Sequence, residues 1–213
     1  MHPNPAFRTA TQQQNLGFAR ARGFGQLGVN GGFGPLAAHV PFVIDAAGEA
    51  AYLHLVRSNP IVAALDQPLP ALLAVTGPDG YISPDWYGLA DQVPTWNYVA
   101  VHLRGPLERL PDARLPEVLA MTTALFERQL APKAPWRMEK MDAQVRDRMM
   151  RAIVPVRLVI EAVDGTWKLG QNKPEAARLA AAAAVAGGVG QERAALGALM
   201  QDGAPPMQDD VDS

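Results

Sequence analysis

The chain of 213 residues contains no cysteine. Disulfides, thiolate metal sites and cysteine nucleophiles are therefore excluded. It also has no run of about 18 apolar residues, so no membrane span is expected. Residues 1–22 are polar and lack the apolar region of a secretory signal. These absences predict a soluble, cytoplasmic protein without a membrane partner.

An excess of basic charge is likewise missing. The 19 Lys and Arg are outnumbered by 21 Asp and Glu, and the net charge is −2. Broad nucleic-acid binding usually requires a basic surface, so this balance argues against it, although a small local basic patch is still allowed. Four histidines without carboxylates at ligand spacing predict no metal site. Neither a catalytic triad nor a glycine-rich nucleotide fingerprint is visible.

Aromatic residues make up only 7% of the chain, yet two Trp and three Tyr fall within residues 81–98. The stretch 81–87 reads Tyr-Ile-Ser-Pro-Asp-Trp-Tyr, and 93–98 reads Val-Pro-Thr-Trp-Asn-Tyr. Flat rings beside short hydrogen-bonding side chains suit a planar polar ligand. A hairpin corner packed by Trp and Tyr explains the same composition, because buried aromatics usually belong to the core. The residue types alone leave both interpretations open.

Together with two further motifs, this stretch resembles the PaiB-type family of FMN-binding negative transcriptional regulators. The upstream motif is His-Leu-Val-Arg-Ser-Asn-Pro at 54–60, and the downstream motif is Trp-Lys-Leu-Gly-Gln-Asn-Lys-Pro at 167–174. The three motifs occur in this order across residues 39–178. The resemblance implies a mainly β fold with peripheral helices, an antiparallel split β-barrel like that of pyridoxamine-phosphate oxidases. It also implies FMN as cofactor and a homodimer with FMN at the subunit interface.

The junction after the motif histidine offers a candidate phosphate site. Arg57 and Ser58 follow His54 at the end of a predicted strand, and a helix is predicted to begin after Asn59. Helix N–H groups, a guanidinium and a hydroxyl together suit a phosphate. The alternative is that Ser58 and Asn59 cap the helix while Arg57 is solvated. The resemblance favours the FMN phosphate, and Arg57→Ala is then expected to weaken FMN binding by about 1.5–3 kcal/mol.

The resemblance implies further cofactor contacts on two strands and in the downstream motif. Each of these contacts has a structural alternative. His39 is then a residue of the barrel wall, residues 96–98 pack into the core, and Lys168 is an ordinary surface lysine. The remaining predicted FMN contacts are His39, Val40, His54, Trp96, Asn97, Tyr98, Trp167, Lys168 and Gln171. No residue stands out as a catalytic acid or base.

Two departures from the family pattern predict weaker FMN binding. The loop 88–92 is short and lacks the Ser-Lys pair that follows the Trp-Tyr in many members. Gly170 replaces a serine in the downstream motif. Each change removes one potential polar contact.

Hydrophobic periodicity and turn signals predict the following organisation. Residues 1–10 are predicted as a flexible N-terminus, 187–201 as a C-terminal helix and 202–213 as a disordered acidic tail. Residues 11–186 are predicted as an antiparallel barrel with peripheral helices, which the resemblance identifies as the split-barrel domain. The predicted strands are 24–29, 36–44, 51–56, 69–76, 81–83, 97–110 and 153–162, with turns at 77–80 and 164–165. The predicted helices are 11–22, 60–65, 113–130, 142–149, 174–186 and 191–200.

Three functions compete on this basis. The first is an FMN-dependent oxidoreductase or flavin-linked regulator of unknown substrate, in which the flavin carries the chemistry. The second is a transcriptional regulator that acts on DNA or indirectly, although no helix-turn-helix or basic stripe is visible and only the helix with Arg146, Arg148 and Arg151 is arginine-rich. The third is a dimeric relative that has lost FMN.

Overall fold

The computed structural model describes residues 1–203. Within them the sheet has the hydrogen-bonded order β4-β1-β2-β3-β6-β5-β7, and an additional β4–β5 pairing closes a ring. The β1–β2, β1–β4, β2–β3, β3–β6 and β5–β6 pairs are antiparallel. Closure matters because it leaves the ring strands without an unpaired edge. The strands are β1 Phe24–Gly31, β2 Gly34–Ile44, β3 Ala50–Val56, β4 Leu69–Ile82, β5 Thr95–Arg109, β6 Ile153–Val159 and β7 Ala162–Lys168.

Helices lie before, between and after the strands, and their ends follow local capping chemistry. The Thr11 hydroxyl accepts from the Gln14 amide at 3.2 Å, and Asp142 Oδ1 accepts from the Val145 amide at 3.0 Å. The α-helices are α1 Gln12–Arg22, α2 Pro60–Ala63, α3 Leu115–Arg128, α4 Ala143–Arg151, α5 Glu175–Val185 and α6 Arg193–Asp202. Four short 3₁₀ turns cover Pro5–Phe7, Pro84–Tyr87, Asp112–Arg114 and Met138–Lys140. None of the helices in the described part of the chain is long and apolar enough to span a bilayer.

The residues group into two compact units. The first contains Met1–Ala19, Val75–Val101 and the chain from Val163 onward, and the second contains Arg20–Ala74 and His102–Ala162. In the second unit, α3 packs on β2, β3 and β6, over a core of aliphatic side chains and Phe42. In the first, α5 packs against α6 and the 84–87 turn, around a buried cluster that includes Trp167, Leu169 and Leu196.

The predicted antiparallel β fold with peripheral helices is confirmed, but the predicted turn at 77–80 is wrong. β4 runs straight through Gly77 and Gly80. A Cβ on Gly77 would lie 2.5 Å from the Phe18 ring, and one on Gly80 would lie 2.9 Å from Leu196 and Val185. These glycines therefore permit close packing within the first unit rather than a chain reversal.

The predicted turn at 164–165 is also wrong, because both residues lie inside β7. A Cβ on Gly165 would lie 2.0 Å from the Asn15 side-chain oxygen, so again glycine allows a close approach. The single strand predicted over 153–162 is two strands, β6 and β7. Pro155 does not mark an edge: it pairs with His54, and its carbonyl accepts from the Leu110 amide at 3.0 Å.

The chain termini and α2 differ in smaller ways from the expectation. Residues 5–7 form a 3₁₀ turn with Phe7 only 3% exposed, where a flexible segment is predicted. Helix α2 ends at Ala63 rather than at Leu65. The predicted disordered tail falls almost wholly outside the described residues, although α6 includes Asp202.

Candidate functional site

The predicted site residues fall into the two units. His39, Val40, His54, Arg57 and Ser58 belong to the second unit. Trp96, Asn97, Tyr98, Trp167, Lys168 and Gln171 belong to the first.

On β2, His39 and Val40 face opposite sides of the strand. His39 is exposed and pairs in register with Gln26, whereas Val40 is 3% exposed and belongs to the core. Any contact of Val40 with a ligand would therefore use its backbone. The flavin contacts predicted for both residues remain predictions.

Arg57 has partners that the sequence did not reveal. Its Nε donates to the Arg151 carbonyl at 2.9 Å, and one terminal nitrogen donates to the Ile153 carbonyl at 3.2 Å and to Asp112 Oδ2 at 3.0 Å. Hydrogen bonds from Arg109 and Arg57 lower the pKa of the Asp112 carboxyl. The guanidinium thus ties β3 to the segments around 112 and 151–153.

The helix after this junction offers little to an anion. Helix α2 has four residues, and its first, Pro60, lacks an N–H. Asn59 Oδ1 accepts from the Ile61 amide at 2.9 Å, and the Asn59 carbonyl accepts from Val62 at 2.9 Å. Ser58 is exposed. Phosphate binding by Arg57 and Ser58 therefore stays a prediction from the motif.

In the first unit, Trp167 and Gln171 are engaged in holding the chain. Trp167 is 2% exposed, its indole N–H donates to Asn15 Oδ1 at 2.9 Å, and Phe18 meets it edge-on at 5.3 Å. Gln171 Oε1 accepts from the Leu169 amide at 2.8 Å, and its Nε2 donates to the Trp167 carbonyl at 2.6 Å. Both polar ends of the Gln171 amide are therefore used by the backbone of its own motif.

The aromatic residues of β5 are arranged differently. Trp96 is 45% exposed and meets Tyr81 edge-on with ring centroids 6.4 Å apart. Tyr98 is half-buried. Trp96 consequently offers an accessible ring face, which the buried Trp167 does not.

Two lysines of the downstream motif line one pocket of about 260 Å³ in the first unit. We call it the lysine pocket. Its polar wall consists of Thr95, Asn97, Lys168, Asn172 and Lys173. The chain has only four lysines, so half of them meet here.

Neutral groups hold both ammonium groups in place. Lys168 Nζ donates to Thr95 Oγ1 and Lys173 Nζ donates to Gln92 Oε1. Lys173 Nζ also lies 5.1 Å from the centroid of the Tyr87 ring. Burial, and then the Lys173 charge, lower the pKa of Lys168. Among residues 1–203, neither lysine has a carboxylate within ion-pair distance, so the pocket carries uncompensated positive charge.

Asn97 adds a hydrogen-bond acceptor to this pocket. The residue is 1% exposed, and its Nδ2 lies 3.5 Å from the Met200 sulfur. Its Oδ1 is buried and has no hydrogen-bond partner among the described residues. An unpaired buried carbonyl oxygen is costly, which favours a ligand that brings an N–H or O–H.

Of the ten residues that line this pocket, sequence reasoning predicted only Asn97 and Lys168 as cofactor contacts. Lys173 and Asn172 stand in the recognised downstream motif but were not predicted as contacts. Three N-terminal residues, His2, Asn4 and Phe7, also line the pocket, and the Phe7 ring centroid lies 5.9 Å from Lys168 Nζ. The buried Phe7 in a proline-rich segment was the available signal, since an isolated large apolar residue there has no reason to face water.

Comparisons with known proteins agree with the fold and with the PaiB-type resemblance. The family model described as "Putative FMN-binding domain" matches residues 1–162. This chain belongs to that FMN-binding family. The match confirms the PaiB-type resemblance and, at the level of the family, FMN as the cofactor.

Individual relatives are more distant. The protease synthase and sporulation protein PAI 2 of Bacillus subtilis is 26% identical over 171 residues, covering 79% of this chain and 81% of that protein. The FAD- and haem-binding protein of Mycobacterium smegmatis superposes with a TM-score of 0.55 at 16% identity, covering 76% of this chain and 73% of that one. The flavocytochrome Anf3 of Azotobacter vinelandii superposes with a TM-score of 0.56 at 16% identity, covering 78% of this chain and 72% of that one. These two structures support the split-barrel fold.

The residues of the lysine pocket fit part of an FMN molecule. Two ammonium groups without carboxylate partners match the charge of a phosphate. The partnerless Asn97 oxygen matches an N–H or O–H donor, and FMN has both in its ring system and ribityl chain. A volume of about 260 Å³ lies just below the range for pockets that enclose a whole drug-sized ligand, so it suits one end of the cofactor.

Proposed function

We propose that the protein is an FMN-dependent oxidoreductase or flavin-linked regulator that anchors an anionic part of FMN in the lysine pocket. The observation that carries this proposal is the meeting of Lys168 and Lys173 beside the partnerless Asn97 oxygen. Such a pair of like charges is unfavourable without an anion, so a bound phosphate would relieve it.

Each residue has a definable task in this proposal. Lys168 and Lys173 bind the anion, Thr95 and Gln92 orient the two ammonium groups, and Asn97 accepts a hydrogen bond from the cofactor. FMN itself would supply hydride or electron transfer once bound. The substrate is not identified by these contacts.

The shortened loop 88–92 fits this assignment. Family members carry a lysine in the loop that this chain lacks. Here Gln92, at the end of the loop, accepts a hydrogen bond from Lys173 of the downstream motif. We infer that Lys173 supplies the positive charge that the loop has lost.

The homodimer remains part of the proposal. Large apolar side chains are exposed in both units, among them Phe24 at 53%, Val56 at 54% and Val93 at 73%. A dimer in light scattering at micromolar concentration is expected, and a monomer would contradict a cofactor shared between subunits.

The decisive experiment compares FMN with riboflavin. Fluorescence titration should show that FMN binds more tightly than riboflavin. Lys168→Gln or Lys173→Gln should weaken FMN binding by about 1.5–3 kcal/mol, the contribution of a charged hydrogen bond, and should leave riboflavin binding unchanged. Lys140→Gln, at an exposed position of the second unit, is the matched control.

Each other outcome has a definite meaning. An FMN affinity that is unchanged in both lysine variants would place the phosphate elsewhere, and Arg57 and Ser58 would be tested next. Failure to bind either flavin would favour the relative without cofactor. Reduction of bound FMN by a nicotinamide donor would support the oxidoreductase, and a salt-dependent affinity for duplex DNA would support direct regulation.

A further inference from the structure

A second cavity, of about 310 Å³ and wholly in the second unit, has an unusual lining. Its wall contains four of the eight methionines of the chain together with His54. We call it the methionine cavity. The four methionines are Met138, Met141, Met149 and Met150.

These side chains come from separate pieces of backbone. Met138 lies in a 3₁₀ turn, Met141 follows that turn, and Met149 and Met150 lie near the end of α4. His54 comes from β3. The four methionines thus stand within residues 138–150, with Met149 57% exposed, and a distant strand adds the imidazole to the same lining.

The His54 imidazole is the polar group that this lining leaves without a partner. Its Nδ1 is buried and, among residues 1–203, has no hydrogen-bond partner. Burial disfavours the charged imidazolium and so lowers the pKa of His54.

The rest of the wall restricts the chemistry of that ligand. Leu119, Thr123, Trp136, Arg146 and Ile153 complete it, and they include no carboxylate and no thiol. Calcium and magnesium require several oxygen ligands, and structural zinc sites use thiolate, imidazole or carboxylate sets. Thioethers with an imidazole instead suit a soft cation such as Cu(I).

We propose that the methionine cavity is a binding site for a monovalent soft cation, Cu(I), ligated by methionine sulfurs and His54. Arg146 belongs to the wall, but its Nε lies 3.2 Å from Asp147 Oδ1, which offsets its charge. A monovalent ion is repelled by the remaining charge less than a divalent one. The site is independent of the lysine pocket and of the proposed flavin chemistry.

Methionine also fills irregular gaps in protein cores, and that role must be separated from metal binding. Met→Leu substitution separates them because it keeps volume and apolarity, at a typical cost below about 1.5 kcal/mol, while it removes the sulfur. A gap-filling methionine tolerates the change without any effect on metal affinity.

The test is a titration of the full chain with Ag(I), the redox-inert analogue of Cu(I), in chloride-free buffer, followed by calorimetry. We expect one Ag(I) per chain, and we expect Met149→Leu/Met150→Leu and Met138→Leu/Met141→Leu each to weaken binding by about tenfold or more. Met121→Leu, a methionine of α3 outside the cavity, is the matched control and should bind as the parent does.

Trp136 provides a local readout, because it lines the same cavity. Ag(I) should change the tryptophan fluorescence of the parent, and Trp136→Phe should abolish that change. The absence of Ag(I) binding, or binding insensitive to both double variants, overturns the proposal. FMN titration of the double variants should give the parent affinity, so failure of this proposal and failure of the flavin proposal are distinguishable.

Discussion

The indole N–H of Trp167 donates a hydrogen bond of 2.9 Å to the side-chain oxygen of Asn15, and both residues are at least 96% buried. Asn15 lies on α1 and Trp167 on β7, 152 positions apart in the chain. The downstream motif therefore begins with a tryptophan that anchors the first unit, and the flavin contact predicted for it remains a prediction.

Replacing Asn15 by leucine should leave the buried indole N–H unpaired. The free energy of unfolding is then expected to fall by about 1–3 kcal/mol, the usual cost of such a group. Urea unfolding without added flavin measures it. Gln13→Ala, on the exposed side of the same helix, should stay within about 0.5 kcal/mol. If the free energy of unfolding falls as little in Asn15→Leu as in the control, the hydrogen bond makes no net contribution to stability.

The hydrophobic pattern and the capping residues predicted most elements, because those signals are local. Thr11 and Asp142 cap α1 and α4 at the predicted starts of the helices 11–22 and 142–149. The predictions failed where distant residues decide: Gly77 and Gly165 look like turn residues, but they allow close approach of Phe18 and Asn15. No local signal distinguishes these two uses of glycine.

The same contrast between local signals and distant contacts applies to the candidate site. Two residues of the motifs, Asn97 and Lys168, line one pocket, while their predicted flavin contacts remain predictions. The motifs could not show that Gln171 is occupied by the backbone or that N-terminal residues line the same pocket. Those facts depend on the folded path of the chain, which motif spacing does not contain.

The path of the downstream motif also explains one departure from the family pattern. Gly170 has φ +82°, a left-handed conformation that costs other residues roughly 1–2 kcal/mol. A Cβ added there would lie 3.6 Å from Asn97 Nδ2 and 3.6 Å from Arg178 Cγ, which is ordinary contact. Space therefore permits the serine of the family, whereas the backbone opposes it.

Gly170→Ser and Gly170→Ala should consequently lower the free energy of unfolding by similar amounts, about 1–2 kcal/mol. Their comparison isolates the hydroxyl, because both bear the same backbone cost. We expect Gly170→Ser to bind FMN more tightly than Gly170→Ala, measured by fluorescence titration. Equal affinities would show that the missing serine costs no cofactor contact.

Gln171 and Asn172 are neighbours with different expected roles. Gln171→Ala removes two hydrogen bonds to the backbone, at Leu169 and Trp167, and should lower the free energy of unfolding by about 1–3 kcal/mol. Asn172→Ala changes an exposed wall residue of the lysine pocket and should weaken FMN with little change in stability. Thermal unfolding and FMN titration of both variants test this assignment. A loss of stability in Asn172→Ala instead of in Gln171→Ala would contradict it.

Arg57 and Arg109 form a natural pair for testing the motif arginine. Both guanidinium groups bond to Asp112, at 3.0 Å and 3.1 Å, but only Arg57 also bonds to the carbonyls of Arg151 and Ile153. Arg57→Gln should therefore destabilise the protein more than Arg109→Gln, by about 0.5–1.5 kcal/mol per lost carbonyl bond.

The same two variants decide where the phosphate lies. If the lysine pocket holds it, both should bind FMN with the parent affinity. A loss of about 1.5–3 kcal/mol in FMN binding for Arg57→Gln alone would instead support the phosphate site predicted from the sequence.

Lys168 should make both stability and FMN binding depend on pH. Its pKa is lowered from the ordinary 10.5 by burial and by Lys173. Between the lowered pKa and 10.5 the unfolded chain binds more protons at this group than the folded chain, so stability should rise with pH through that interval. FMN affinity should fall over the same interval, because the phosphate loses a cationic partner while its own charge stays constant well above its pKa of about 6.

Lys168→Arg provides the sharpest check, since a guanidinium stays protonated throughout. Both pH dependences attributed to Lys168 should disappear in that variant, while FMN remains preferred over riboflavin. In Lys168→Gln the pH dependences should disappear and the FMN preference should shrink as well. A fall in FMN affinity with pH that persists unchanged in Lys168→Arg would assign the titration to another group and remove Lys168 from the anion site.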